Sequence, residues 1–136
     1  MNKYSVLFFC VSLLSLVYAH ADGLATELSP QVKCYQDGAA ANILNLSSSN
    51  ALRDLALLCS GATSSAPIKC YQDGAAANIL NLSGSNAAVH DLALLCSGAT
   101  SSTPIKCYRD GVAAKILNLS GSNAAVDDLA QLCKQK

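Results

Sequence analysis

Beyond residue 21 the chain has no tryptophan, phenylalanine or methionine, and its only aromatic side chains are Tyr35, Tyr71 and Tyr108. A core of packed rings is excluded, so the interior must come from Leu, Ile, Val and Ala, a thin supply for a small domain. Charge of one sign is also missing. Nine basic and nine acidic residues cancel, and without Lys3 eight scattered cations face nine carboxylates. No electrostatic field is available to hold nucleic acid or an anionic membrane. After residue 21 no apolar run approaches the roughly 20 residues that a membrane span requires, so none is expected in the mature chain.

Residues 1–21 read differently from the rest. Lys3 precedes an apolar run over 6–17, and Ala19 and Ala21 flank His20 in an A-x-A pattern. This predicts a secretory signal peptide cut before Asp22, with cleavage after Ala19 as the near alternative. Cys10 would leave with it and six cysteines would remain. In an oxidising, extracellular compartment these are expected to pair.

What is present is one passage written three times: KCYQDGAAANILNLSSSNALRDLALLC from Lys33, KCYQDGAAANILNLSGSNAAVHDLALLC from Lys69 and KCYRDGVAAKILNLSGSNAAVDDLAQLC from Lys106. The reading divides the chain into a signal peptide (1–21), an N-terminal segment (22–32) and repeats at 33–68, 69–105 and 106–136. Repetition at this period points to a modular array. Units of about 36 residues seldom fold on burial alone and need disulfides or neighbours.

In the second copy Ile68, Tyr71, Ala75, Ile79 and Leu82 recur at steps of three and four, a helical period. Pro67 suits a first turn, and Ser29 and Thr103 are natural N-caps, with Ala66 a poorer one. Asp-Gly at 37–38, 73–74 and 110–111 signals a turn, so helix is expected over 75–82 more than over 68–73. After Ser83-Gly84-Ser85-Asn86, the pattern Val89, Leu92, Leu95, Cys96 predicts a second helix. In the third copy Asp127 and Asp128 near its start, with Lys134 and Lys136 past its end, would complement the helix dipole. Gly61 and Gly98 stand where a left-handed C-terminal cap belongs.

The fold class expected is all-α: three tandem disulfide-stapled helical hairpins after a signal peptide. In such hairpins Cys34 would pair with Cys59, Cys70 with Cys96 and Cys107 with Cys133. Pairing across the linkers, Cys59 with Cys70 and Cys96 with Cys107, is the competing scheme. The linkers 60–66 and 97–103 would allow separate beads or stacked neighbours. Leu57 and Leu94 become Gln131 in the last copy, and Asn42 and Asn78 become Lys115. A polar outer face on a terminal unit favours stacking.

Chemistry that matters in each unit should recur in each unit. His90 corresponds to Arg53 and Asp127, so no base recurs to activate a serine. The recurring carboxylates Asp37, Asp73 and Asp110 read as turn residues, and Asp54, Asp91 and Asp128 as a solvated helix face. Calcium-loop spacing and close Cys-x-x-Cys pairs are both missing, so neither a metal nor a cofactor is expected. Asn45, Asn81 and Asn118 each begin an N-x-S sequon and are candidate N-glycosylation sites. Each tyrosine is expected to pack over its disulfide.

Together these features predict a secreted, non-enzymatic protein presenting three similar modules to an extracellular protein or glycan. The alternative is a diffusible effector (a venom, salivary or defence peptide, or a protease inhibitor) or a precursor cut into single units.

Overall fold

Proline fixes where three helices begin, because its missing N–H falls among donors that a first turn leaves unpaired. The computed structural model describes residues 27–44, 49–80, 86–116 and 123–134. Pro30, Pro67 and Pro104 lie in the first turns of α1 (Pro30–Ala40), α3 (Ala66–Ala76) and α5 (Thr103–Ala113). Alternating with these are α2 (Ser49–Leu58), α4 (Asn86–Cys96) and α6 (Asn123–Cys133). All six elements among the described residues are helices. Helices α1, α3 and α5 start three residues ahead of Lys33, Lys69 and Lys106, so the sequence boundaries at 69 and 106 fall inside helices.

The first helix of each copy differs from expectation. In the second copy α3 ends at Ala76, and 77–80 form turns where helix was expected. The three Asp-Gly pairs lie within helices rather than at turns. Termination comes instead at Asn42, Asn78 and Lys115, which adopt φ of 47°, 48° and 52°. The Ile79 N–H donates to the Gly74 carbonyl at 3.3 Å, and the Asn78 N–H to the Ala75 carbonyl at 3.1 Å. This is a Schellman ending, repeated by Ile43 with Gly38 and by Ile116 with Gly111. The change from Asn42 and Asn78 to Lys115 therefore falls on a left-handed helix end, where Asn is at home.

Capping follows the same logic with two reassignments, Ala66 being the first residue of α3 behind the cap Ser65. Ser29 accepts from the Val32 N–H at 3.4 Å. Thr103 is the first residue of α5 rather than its cap, which is Ser102. Ser65 and Ser102 hold cap positions without a side-chain cap bond, leaving their hydroxyls for other partners. Gly61 and Gly98 turn left-handed after α2 and α4, at φ of 72° and 67°. Asp127 and Asp128 lie beyond the first turn of α6, too far along it to complement the dipole.

Disulfides join Cys34 to Cys59, Cys70 to Cys96 and Cys107 to Cys133, each with a Cα separation of 5.6 Å. Every bridge lies within a copy, and no cysteine pairs across a linker. Four residues after Cys34, Gly38 faces Leu55, four residues before Cys59. Advancing along α1 therefore retreats along α2, and the two helices run antiparallel. Closing 25 or 26 residues contributes about 3.5 kcal/mol by loop-closure entropy.

The helices form two rows. In one, α3 packs between α1 and α5; in the other, α4 packs between α2 and α6. Leu55, Leu92 and Leu129 are fully buried, and a single apolar cluster runs from Cys34 to Cys133. The copies are stacked neighbours rather than beads. Gln131 is exposed, whereas Leu94 is buried and Leu57 partly so.

Candidate functional site

The junctions between copies gather several of the recurring polar residues, and the Asp-Gly pair is the first of them. A Cβ on Gly74 would lie 2.6 Å from Leu92 Cδ1 and 2.8 Å from Ile105 Cδ1, the latter in the next copy. Gly38 is placed identically against Leu55 and Ile68. A helix-interior glycine costs about 1 kcal/mol, but here its bare surface admits two aliphatic side chains at once. The preceding Asp secures the same junction. Ser65 donates its hydroxyl to the Asp37 carboxylate, and Ser102 donates to Asp73 at 2.5 Å. Those serine bonds, aided by Lys33 and Lys69, hold the carboxyls of Asp37 and Asp73 below the usual range.

The row of even helices carries a second set of contacts. Asp54 of α2 is buried and accepts from His90 of α4, with Nδ1 to Oδ1 at 2.8 Å. The Ser97 hydroxyl donates to the Leu57 carbonyl at 2.7 Å, and the Gly98 N–H to the Leu58 carbonyl at 3.2 Å. The Gly98 bond satisfies a carbonyl that the end of α2 would otherwise leave open, and the Ser97 hydroxyl gives the Leu57 carbonyl a second donor beside the Ser60 N–H. At the next junction Asp127 occupies the place of His90, opposite Asp91. Burial, with the Asp127 charge second, pushes the Asp91 carboxyl up. Asp54 and Asp91 are thus buried junction residues, not the solvated face the sequence suggested.

Tyrosines complete the junctions. Tyr71 and Tyr108 are almost fully buried, while Tyr35 is half-buried. Burial, then the negative charge of Asp54 in the preceding copy, pushes the Tyr71 phenol up to about 12. Burial and Asp91 push Tyr108 in the same direction. The Tyr71 and Tyr108 phenols therefore each lie near a carboxylate of the copy before.

Between α2 and α4 lies a groove of about 480 Å³ whose lining includes Arg53, Asp54, Leu57, Asn86, His90 and Asp91. Its described lining contains a histidine–carboxylate pair but no hydroxyl or thiol. No metal-holding group of His, Cys, Asp and Glu occurs among the described residues, and no described helix is long and apolar enough to cross a membrane. The candidate glycosylation sites Asn45, Asn81 and Asn118 and the expected signal peptide lie outside the described residues.

No protein-family model, characterised protein or solved structure matches this chain. Its functional reading therefore rests on its own surfaces.

A recurring set of charged and polar residues lies at the surface of the odd row. Along the odd row, Lys33, Gln36 and Ala40 are exposed, followed by Lys69, Gln72 and Ala76, then by Lys106, Arg109 and Ala113. Each lysine pairs with the Asp four residues on, at 3.2, 2.9 and 2.5 Å, a pairing favoured on helix surfaces. The lysines are thereby partly neutralised. Gln36, Gln72 and Arg109 stand between them as the polar heads facing solvent.

Proposed function

We propose that this is a secreted, non-enzymatic binding protein whose three disulfide-stapled hairpins form one extracellular recognition surface. In this reading residues 1–21 are removed on export and the six cysteines oxidise. The carrying observation is the exposed ridge of Lys, Gln or Arg, and Ala on α1, α3 and α5, a recurring side-chain set that the stack does not consume. Neighbouring packed helices lie about 8–10 Å apart, so the three sets form a continuous strip. A protein partner with a polar, extended face fits this strip better than three separate epitopes would. The groove supports binding over catalysis, because its described lining offers no hydroxyl or thiol for His90 to activate.

Release as single units is disfavoured on physical grounds. Cutting within 60–66 or 97–103 would uncover Ile68, Tyr71, Leu92, Ile105 and Tyr108, all buried in the stack. The test is retention of extracellular proteins from the source tissue on the immobilised, oxidised protein. Gln36→Glu, Gln72→Glu and Arg109→Glu together should abolish retention while leaving helicity unchanged. The middle change alone should weaken it more than either end change. Retention indifferent to all three would sink the reading.

A further inference from the structure

The two ends of the stack present opposite halves of the junction that is used twice inside it. At the α1/α2 end, Ser29, Val32, Tyr35, Arg53 and Ser60 correspond to Ser65, Ile68, Tyr71, His90 and Ser97. In the second copy this face is covered by the first: Ile68 is 7 % exposed, against 45 % for Val32. A shallow concavity of about 340 Å³ is lined there by Gln31, Val32, Tyr35, Ala56, Cys59 and Ser60. At the α5/α6 end stand Asp110, Gly111, Asp128 and Leu132, which correspond to Asp73, Gly74, Asp91 and Leu95. Leu132 is 70 % exposed where Leu95 is fully buried. The Asp110 side chain is 63 % exposed, against 40 % and 39 % for Asp37 and Asp73, which have serine partners.

We propose that the protein associates head to tail with a second copy of itself, the α1/α2 face of one molecule seating on the α5/α6 face of the next. The contact continues the internal stack. Ser29 donates to Asp110 as Ser65 does to Asp37, and Val32 enters beside Gly111 as Ile68 does beside Gly38. Arg53 meets Asp128 where His90 meets Asp54.

Charge selects this arrangement. Of the three residues at the histidine position, Arg53, His90 and Asp127, the arginine falls in the copy whose α1/α2 side is uncovered and is exposed there beside the α2/α4 groove, and the carboxylate it suits, Asp128, is exposed in the last copy. Gln131, in place of Leu57 and Leu94, makes the external contact weaker than the internal ones. A like end meeting a like end would oppose Arg53 to Arg53 or Asp128 to Asp128, which disfavours a two-fold dimer. A head-to-tail contact is heterologous, so it extends into linear oligomers or closes as a ring.

The experiment is sedimentation of the secreted, oxidised protein over a wide concentration range, at low and high salt. The expected result is a concentration-dependent series of multimers that salt weakens. Arg53→Glu and Asp128→Arg, both at exposed positions, should each raise the concentration needed for association about tenfold. Mixing the two variants should restore assembly, because each supplies the charge the other lacks. Circular dichroism and a thiol assay verify that both variants are folded and oxidised. A wild-type protein that stays monomeric at all concentrations overturns the proposal. So does a dimer that forms equally well with either variant, which would report a symmetric face.

Discussion

The junction between the first and second copies and that between the second and third share a scaffold but differ in their polar chemistry. Both use an Asp-Gly pair, a serine from the next linker, a buried leucine and a tyrosine. In the first, Asp54 meets His90, while Ser97 and Gly98 bond the end of α2. In the second, Asp91 faces Asp127, and Lys134 stands in the place of Ser97 with its N–H bonded to Ala130 in its own helix. Near-identical copies thus make unequal contacts, because a junction pairs one position of a copy with a different position of its neighbour. In a repeat array stability is a sum over units and interfaces, so opening should begin at α5 and α6.

The shared scaffold is broken most severely at the middle glycine. Gly74→Val would drive a branched side chain against both Leu92 and Ile105, whereas at Gly111 the nearest described side-chain atoms belong to Leu129 and Ile116 of the same copy. Overpacking of this kind costs about 1–3 kcal/mol. Gly74→Val should fall at the upper end and loosen the second junction, and Gly111→Val should fall at the lower end. Urea titration followed by helicity measures the difference. Equal losses at the two positions would show that the next copy's isoleucine contributes nothing.

The polar difference is sharpened by pH. The Asp91 carboxyl is raised from 3.8, so its contribution to the second junction is full below that value and is lost as pH rises through its folded value. Asp37 and Asp73 are lowered from 3.8, so their serine bonds hold above it and are lost only as pH falls further, through their own folded values. Mild acid should therefore tighten the α4–α6 contact while the odd-row contacts stay intact. Asp127→His should replace the like-charge pair with the histidine–carboxylate pair of the first junction. A gain of about 1 kcal/mol is expected, on the order of other charge pairs across packed elements. Amide exchange in α6 at pH 6 should slow in this variant; unchanged exchange would mean that Asp127 and Asp91 do not interact.

Much of this arrangement can be read along the chain, and the rest lies across it. The disulfide partners follow from antiparallel helices that bring Cys70 and Cys96 together, and the even helices follow from Leu92 and Leu95 at helical spacing. Gly61 and Gly98 mark helix ends as composition suggests. The first helix is misplaced because Ile79 continues the period of Ile68, Tyr71 and Ala75, although it lies beyond the left-handed Asn78. Asp73-Gly74 resembles a turn locally, and only the approach of Leu92 and Ile105 explains a glycine inside a helix. Comparing His90 with Arg53 and Asp127 shows only that no base recurs. The partner of His90 is in another column, and setting Arg53, His90 and Asp127 beside Asp54, Asp91 and Asp128 would have exposed the pairing.

Lys115 gives the smallest and most local test of how the third copy differs from the first two. It holds φ of 52° at the left-handed end of α5, where the other copies place Asn42 and Asn78. A β-substituted residue pays roughly 1–2 kcal/mol in this conformation, and asparagine offsets part of that by local hydrogen bonding. The Lys115 N–H still donates to the Val112 carbonyl at 3.1 Å, so the ending forms despite the strain. Lys115→Asn should stabilise the protein by about 0.5 kcal/mol, and Lys115→Gly by somewhat more at this φ. Neither side chain is needed at a junction, so the gain should appear in α5 and leave exchange in α3 unchanged. Slower exchange in α3 as well would mean that the third copy is coupled to the second more tightly than the Asp91–Asp127 contact allows.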